Sequence, residues 1–556
     1  MKILFFSPNS FILEHSIPET ILVKELLNSG HEVHRLLCDS LFKTLCTAME
    51  SANISFNSSI SEKNDICLKC RSISKSIKQV SKANHHDISF FITQVEKELI
   101  DEYIDSLDIE SFKFEDDYFL SKDLKFKAAY ETILKFKLNK LCFNVTSFSF
   151  YKAKLRSALY SYYVGKNFKS FLKADILFIY SPQYEINNFF YEGYKSKTLK
   201  TFFIEGSENI YFHYSGLRVW DWDINKLVSP LKNNWDKIDF KKIPSSQNFL
   251  VYKHLDELYK SNSFRVFSPK KIGKVIFANN FDPSKFKKTF LLCLSSSDEA
   301  FAAFTIGAFP ENKVKSEIFT SQIEWLEYTM RFFMNYDDYA LIVRIHPRET
   351  HLKNGSVVSN HFNEIQNNLK SYNLSENIYI NYPSDNISLY DLFSIIDVTL
   401  VSWSLTGIES LLHSKPVIVY DNNLTNYPDE IVFTGNSLDE YRENLKMFLE
   451  LKPKLHNKIL YDLGFNWLKV NFYLNNIYFK TKGVSFKVIL IILKISRKID
   501  NYRFYVFIFI FTYNILKLDD FSRKRFLELV SHKKNDLLNL DSIQKFEFNI
   551  PRKIDQ

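Results

Sequence analysis

The sequence predicts an α/β protein of two doubly wound lobes, with a helical insertion in the first lobe and a helical, basic and apolar tail after the second. Three observations predict it. At 556 residues the chain is too long for one ordinary domain. Short apolar runs that stop abruptly at polar loops form two sets, separated by a long stretch rich in Lys, Phe and Tyr. Between the runs, apolar residues recur at helical spacing, so strands and helices alternate. The reading divides the chain into a first lobe at 1–270 with a helical insertion over about 71–172, a second lobe at 271–450, and a tail at 451–556.

The opening "KILFFSP" is a continuous apolar run, the pattern of a parallel strand buried on both faces. The polar "NSFILEHS" reads as a loop, and "IPETILVKELLNSG" as a helix with Pro18 near its start and Gly30 as its stop. A second strand follows, completing a β-loop-α-β unit. "ADILFIYSP" and "KTFFIEGS" are further strands that run into loops. The stretch "SNSFRVFSPKKIGKVIFANNFD" reads as the crossing between lobes. In the second set, "TFLLCLSSSDEA", "YALIVRIHPRE", "NIYIN", "VTLVS" and "KPVIVY" are strands, and "SLYDLFSIID" and "SLTGIESLLHS" are helices. Gly-x-Gly-x-x-Gly is missing after the first strand, so that turn is no dinucleotide cradle. Two such lobes put a ligand in the crevice between them.

Charge excludes some functions. From Lys480 to the end there are 16 Lys+Arg against 8 Asp+Glu, a surplus equal to the net charge of +8 on the whole chain. The body is neutral, so a nucleic-acid binder is not expected, and the basic tail suggests an anionic surface as partner. "MKILFFSPNS" has too short an apolar core for a signal peptide, and six cysteines do not make a secreted disulfide scaffold. The expectation is a cytoplasmic protein, held at the inner face of the membrane if the tail binds there.

Two stretches carry chemistry. "HPRE" ends a strand and presents His346 and Arg348, which can donate to phosphate oxygens, the guanidinium bidentately. An ordinary surface turn explains it as well. In "SWSLTGIESLLHSKPVIVY", Ser402, Ser404 and Thr406 offer hydroxyls and backbone N–H groups at a helix start, and Gly407 allows a close backbone approach. Glu409, one turn in, can accept from ribose or sugar hydroxyls; the competing reading is a capping box, Thr406-x-x-Glu409.

Together these motifs resemble the C-terminal lobe of GT-B glycosyltransferases that build bacterial capsule and lipopolysaccharide, especially capsule-polysaccharide transferases of the Kdo-transferase and polysialyltransferase type. "LSSSDEAF" with "SQIEWLEYTMRFF", and "HSIPETILVKELLNSGHEV" near the start, are similar too, so the likeness covers residues 1–50 and 285–440. It implies two Rossmann-like lobes and a nucleotide-sugar donor whose phosphate and nucleotide are held by His346 and Arg348 of the His-Pro motif and Ser402, Ser404, Thr406 and Glu409 of the Ser-rich one. Trp403 and Thr406 inside that motif depart from the family pattern, as does His413-Ser414-Lys415-Pro416 where Gly often precedes Lys-Pro. The implied activity is hexosyl or ulosonic-acid transfer to a glycan or lipid-linked glycan. A nucleotide-sugar epimerase, a polyol-phosphate transferase and a non-catalytic scaffold of polysaccharide assembly are the rival readings.

Such a transferase needs a base in the first lobe for the acceptor hydroxyl's proton, and His15 and Glu205 are the favoured candidates, with Glu14 beside them. No Asp-x-Asp lies between strands where a metal-diphosphate site would be expected, so metal-independent catalysis is expected. Cys38, Cys46, Cys67 and Cys70, spaced C-x7-C-x20-C-x2-C, fit either a structural zinc site or buried free thiols. The tail run "YVFIFIFTYNIL" is too short to span a bilayer; it fits a helix packed back on the first lobe or an interfacial element flanked by "KISRK" and "SRKR".

Overall fold

The computed structural model describes residues 1–221, 232–238, 240, 243–263, 265–278, 281–308, 316–350, 357–421, 425, 427–450, 457–481, 488–489, 491–492 and 501–531. The first lobe contains β1 (Lys2–Ser7), β2 (Glu32–Leu37), β3 (Asn84–Asp87), β4 (Ile176–Tyr180), β5 (Lys200–Gly206) and β6 (Gly216–Asp221). The second contains β7 (Lys288–Cys293), β8 (Tyr339–Arg344), β9 (Ile378–Asn381), β10 (Val398–Val401), β11 (Val417–Val419) and β12 (Phe433–Thr434). β13 (Asn476–Thr481) and β14 (Leu516–Leu518) come from the tail.

Both lobes use one strand order. The second lobe runs β12-β11-β10-β7-β8-β9, parallel throughout. The first runs β6-β5-β4-β1-β2-β3, with β6 antiparallel, and the tail extends it as β14-β13-β6. Each is the 3-2-1-4-5-6 order of a doubly wound nucleotide-binding sheet, with a reversal between its first and fourth strands. The chain is thus an α/β protein of two Rossmann-like lobes, the GT-B arrangement.

The central strands form because their residues are buried on both faces: β4 "ILFIY" and the last five residues of β8 are buried throughout. β3 "NHHD" is a polar edge strand without that signature, which is why the sequence reading passes over it. The first helix begins earlier than predicted, at Leu13, so His15 sits in its first turn and Pro18 inside it; it ends before Gly30, whose φ of 81° suits glycine. The stretch 71–172 is mainly helical, with long helices at Ile60–Val80 and Val145–Phe171, but it also carries β3, so part of it belongs to the sheet rather than to an insertion.

Two boundaries differ from the sequence reading. Trp235 to Val266, assigned to the first lobe, pack in the second lobe's core with Leu291, Ile342 and Ile408. The tail is not simply helical. Helix Asn457–Leu474 packs on the second lobe, whereas β13, β14 and helices Tyr502–Ile515 and Asp520–Ser531 complete the first. The apolar run therefore buries one face against the first lobe's core. The "KISRK" that precedes it lies outside the described residues, while "SRKR" opens the last helix. No helix among the described residues is long and apolar enough to cross a membrane.

Phe526, fully buried beside Phe178 of β4 at 5.9 Å between ring centroids, tests this return. Phe526→Ala should cost about 3–5 kcal/mol, as for a central core residue. Chemical denaturation should show it, and unchanged stability would mean that the tail is not part of the first lobe's core.

Candidate functional site

A cavity of about 400 Å3 opens at the carboxyl ends of β7, β8 and β10. Arg344, His346, Ser404, Thr406 and Glu409 of the second lobe line it, and Glu208, just beyond β5 of the first lobe, closes the far wall. This is the crevice that the strand order requires. A second chamber of about 270 Å3 shares Arg344, Pro347 and Phe267 with it and is bounded by the loop after β9, including Tyr382 and Asn386.

Arg344 is the last residue of β8. Alternation along the strand points Leu341 and Val343 to one core and Ile342 to the opposite one, and Arg344 shares the face of Ile342. Its guanidinium is buried; Nη1 donates to Asn381 Oδ1 at 2.6 Å and to the Ile387 carbonyl at 3.0 Å. No carboxylate among the described residues forms an ion pair with it, and Glu409 and Asp385 offset its charge only from a distance, so the cleft floor carries a cation that favours an anionic ligand. Arg265, exposed at the rim and likewise without an ion pair among the described residues, adds a second positive charge.

His346 Nδ1 accepts from the Arg348 backbone N–H at 3.2 Å. Burial, the largest influence, lowers its pKa, so the ring is neutral near pH 7 and carries its proton on Nε2 as a donor. Arg348 does not join it. Its side chain turns away to Asp298 at 2.6 Å, Glu299 at 2.5 Å and the Leu134 carbonyl of the first lobe at 3.2 Å. The predicted phosphate arginine is therefore an interlobe clasp, already saturated with acceptors. Lys137 donating to the Thr350 carbonyl at 3.0 Å and Asn139 to Glu364 at 2.7 Å bridge the same seam.

In the Ser-rich turn, Ser404 Oγ accepts from Thr406 N at 3.2 Å and donates to Thr406 Oγ1 at 2.9 Å. Ser402 stands apart, fully buried, its hydroxyl 3.1 Å from that of Ser295 across the β7–β10 reversal; it joins strands rather than lining the cleft. Helix Thr406–Leu411 is six residues long, too short for its dipole to rival a guanidinium. Gly407 also acts differently from expectation: a Cβ there would stand 2.4 Å from the Tyr427 hydroxyl, so the close approach is to Tyr427. Glu409 faces the cleft with its pKa raised to about 7, chiefly by burial, against the opposing effects of a hydrogen bond from Tyr390 and the charge of Arg344.

His15 and Glu205 do not line the cleft. His15 stacks on Tyr180 at 3.8 Å beside a water-sized polar pocket at the first lobe's own strand reversal, lined by Ser7, Asn9, Ser16 and Asn187. Glu205, the last residue but one of β5, accepts from Gln183 at 3.2 Å and lies within the electrostatic reach of Tyr180 and Arg218. The four clustered cysteines do meet, around a small pocket with Pro8 and Phe42, as free thiols, three of them buried and Cys46 half-buried. Burial, the largest influence, pushes Cys38 up to about 11 and Cys46 to about 12, and no group of three or more His, Cys, Asp or Glu placed to hold a metal occurs among the described residues. Of the two readings that the spacing leaves open, zinc site or free thiols, this packing has the form of the thiols.

Arg344, Arg265, Glu208 and Glu299 are cleft residues that the sequence reading missed. Only Arg344 carried a signal, a charge at the end of a buried strand.

No family model matches the chain, and no curated protein matches it in sequence. Among solved structures it is similar to the beta Kdo 2,4 transferase of Thermosulfurimonas dismutans KpsC, at 14% identity over 55% of this chain and 81% of that one, with a TM-score of 0.29. It is also similar to a Neisseria meningitidis UDP-GlcNAc 2-epimerase bound to UDP-GlcNAc, at 12% identity over 84% and 97% and a TM-score of 0.29. A third is CalG4, the calicheamicin glycosyltransferase, at 10% identity over 84% and 94% and a TM-score of 0.25. Scores this low carry no argument about the site, and the fold stands on the chain's own strand order.

Two substitutions check this geometry. Gly407→Ala should cost roughly 1–3 kcal/mol through overpacking against Tyr427, seen as a lowered melting temperature that a smaller residue at 427 partly restores. For Glu409 the folded pKa of about 7 exceeds the ordinary 4.5, so the ligand-free folded state holds a proton that the unfolded state has released. That contribution is complete below the unfolded value and is lost as pH rises through 7. Glu409→Gln should therefore raise the melting temperature relative to the parent at pH 8 but not at pH 4; an equal effect at both would refute the raised pKa.

Proposed function

We propose that the chain is a glycosyltransferase that moves a sugar from a nucleotide-sugar donor to a growing cell-surface polysaccharide or lipopolysaccharide, without a catalytic metal. The observation that carries this reading is the buried, unpaired Arg344 at the switch-point crevice. A nucleoside diphosphate-sugar brings the anionic charge that Arg344 lacks, and the rest of the cleft suits its other parts. His346 Nε2–H and the Ser404–Thr406 turn donate to phosphate oxygens. Glu409, ionised, accepts from ribose hydroxyls, and the side chamber between Phe267 and Tyr382 accommodates the base.

The acceptor approaches from the first lobe. Its hydroxyl oxygen forms the bond to the anomeric carbon, the bond from that carbon to the phosphate oxygen breaks, and the charge gathering on the leaving nucleotide is held by Arg344, Arg265 and His346. The two guanidiniums supply the charge neutralisation for which other transferases use a metal, and the neutral imidazole adds a hydrogen bond. The acceptor proton goes to a base on the first-lobe wall of the cleft, where Glu208 stands; Glu205 and His15, the bases expected from the sequence, do not line that wall.

Calorimetry with a panel of nucleotide sugars tests the assignment. Arg344→Met should weaken donor binding by about 1.5–3 kcal/mol, the worth of a charge-assisted contact, while Arg348→Ala should change it little. The reverse pattern would return the phosphate contact to the "HPRE" arginine. Conversion of the donor with no acceptor present would instead indicate an epimerase.

A further inference from the structure

We propose that the outer face of helix Tyr502–Ile515, on the first lobe, docks on an anionic lipid surface. The helix is sharply two-sided. Tyr505, Ile508, Phe509 and Thr512 are buried against the lobe. On the opposite side Phe507 is 59% exposed and stacks with half-buried Phe504 and Phe511, at 6.4 and 6.1 Å between ring centroids. A surface helix ordinarily turns polar residues outward; this one turns out an aromatic stripe. The short helical segment before it repeats the pattern. Ile489 is buried and Ile492 packs in the same core, while Val488 and Ile491 are 44% and 56% exposed.

Charge selects the occupant. Exposed Arg503 lies one turn before Phe507 on the same stripe, and Lys24 sits 5.5 Å over the Tyr513 ring near the other end. The covalently adjoining "KISRK" adds three cations, and the whole net charge of +8 lies in the last part of the chain, from Lys480 onward. Exposed aromatic rings among Lys and Arg are the two components of an interfacial helix: rings enter the acyl boundary and cations meet anionic head groups. A second copy of this chain is a poorer partner, because it would bring the same positive charge to the contact. Fourteen residues make a helix of about 21 Å, short of a hydrocarbon core of about 30 Å, so the helix lies on the surface rather than crossing it. Since β13, β14 and this helix belong to the first lobe, docking would hold the acceptor side of the cleft at the membrane. The inference does not depend on the identity of the donor.

Co-sedimentation of the full chain with phosphatidylcholine vesicles, with and without phosphatidylglycerol, tests it. The parent should bind the anionic vesicles, bind the neutral ones weakly, and release as salt rises. Phe507→Asp changes an exposed position, so its melting temperature should match the parent's while vesicle affinity falls about tenfold or more; Arg503→Glu should lower binding and its salt dependence. A parent that ignores anionic vesicles, or a Phe507→Asp chain that binds as well as the parent, would overturn the proposal. So would a dimer in light scattering that Phe507→Asp abolishes, because the face would then be a contact between copies.

Discussion

A parallel sheet whose first strand lies between its second and fourth must send its connections apart on either side of that point, and the gap at the strands' carboxyl ends cannot be filled by the sheet itself. Both lobes obey this constraint. In the second lobe the gap falls between β7 and β10, where the hydroxyls of Ser295 and Ser402 meet beneath the cleft. In the first it falls between β1 and β4, where Ser7, Asn9, His15 and Tyr180 gather. Polar residues collect at these two points because the pairing between the diverging strands has ended, at Phe6–Ile179 in the first lobe and Cys293–Val401 in the second.

The two arginines of "RIHPRE" show how placement decides chemistry. Four residues apart in sequence, they meet opposite fates. Arg348 lies beyond the strand and finds Asp298, Glu299 and a carbonyl across the seam; burial still raises Asp298 to about 6, with Arg348 opposing that rise. Arg344 remains on the strand, has only neutral acceptors, and faces the crevice. A buried cation without a carboxylate costs stability unless something anionic visits it, and that unmet requirement is what distinguishes a ligand site from a structural ion pair.

Much of the fold was legible because a strand buried on both faces leaves a continuous apolar run, as in "ILFIY" of β4 and "YALIV" of β8. What lacked that pattern was missed: polar β3, antiparallel β6 with its "GLRVWD", β13, which pairs with β6 from the far end of the chain, and β14, which pairs with β13. The site was legible as two loops but not as side-chain directions. Sequence points to Arg348 because it neighbours His346, whereas alternation along β8 aims Arg344 at the cleft. Gly407 invited a ligand reading, although its neighbour is Tyr427, a residue 20 positions away that no local pattern reveals. The cysteine spacing likewise predicted proximity, which the pocket at Pro8 shows, but left open the choice between a metal site and buried thiols, which depends on the packing around them.

Amide hydrogen exchange with and without a nucleoside diphosphate tests the central claim most directly, because it maps the ligand onto the chain without presuming a sugar or an acceptor. The account predicts joint protection of three separated segments, 293–296, 344–348 and 403–409, which only the second lobe's strand reversal brings together. Protection confined to residues 7–19 of the first lobe, or none in any of the three segments at saturating nucleotide, would contradict it.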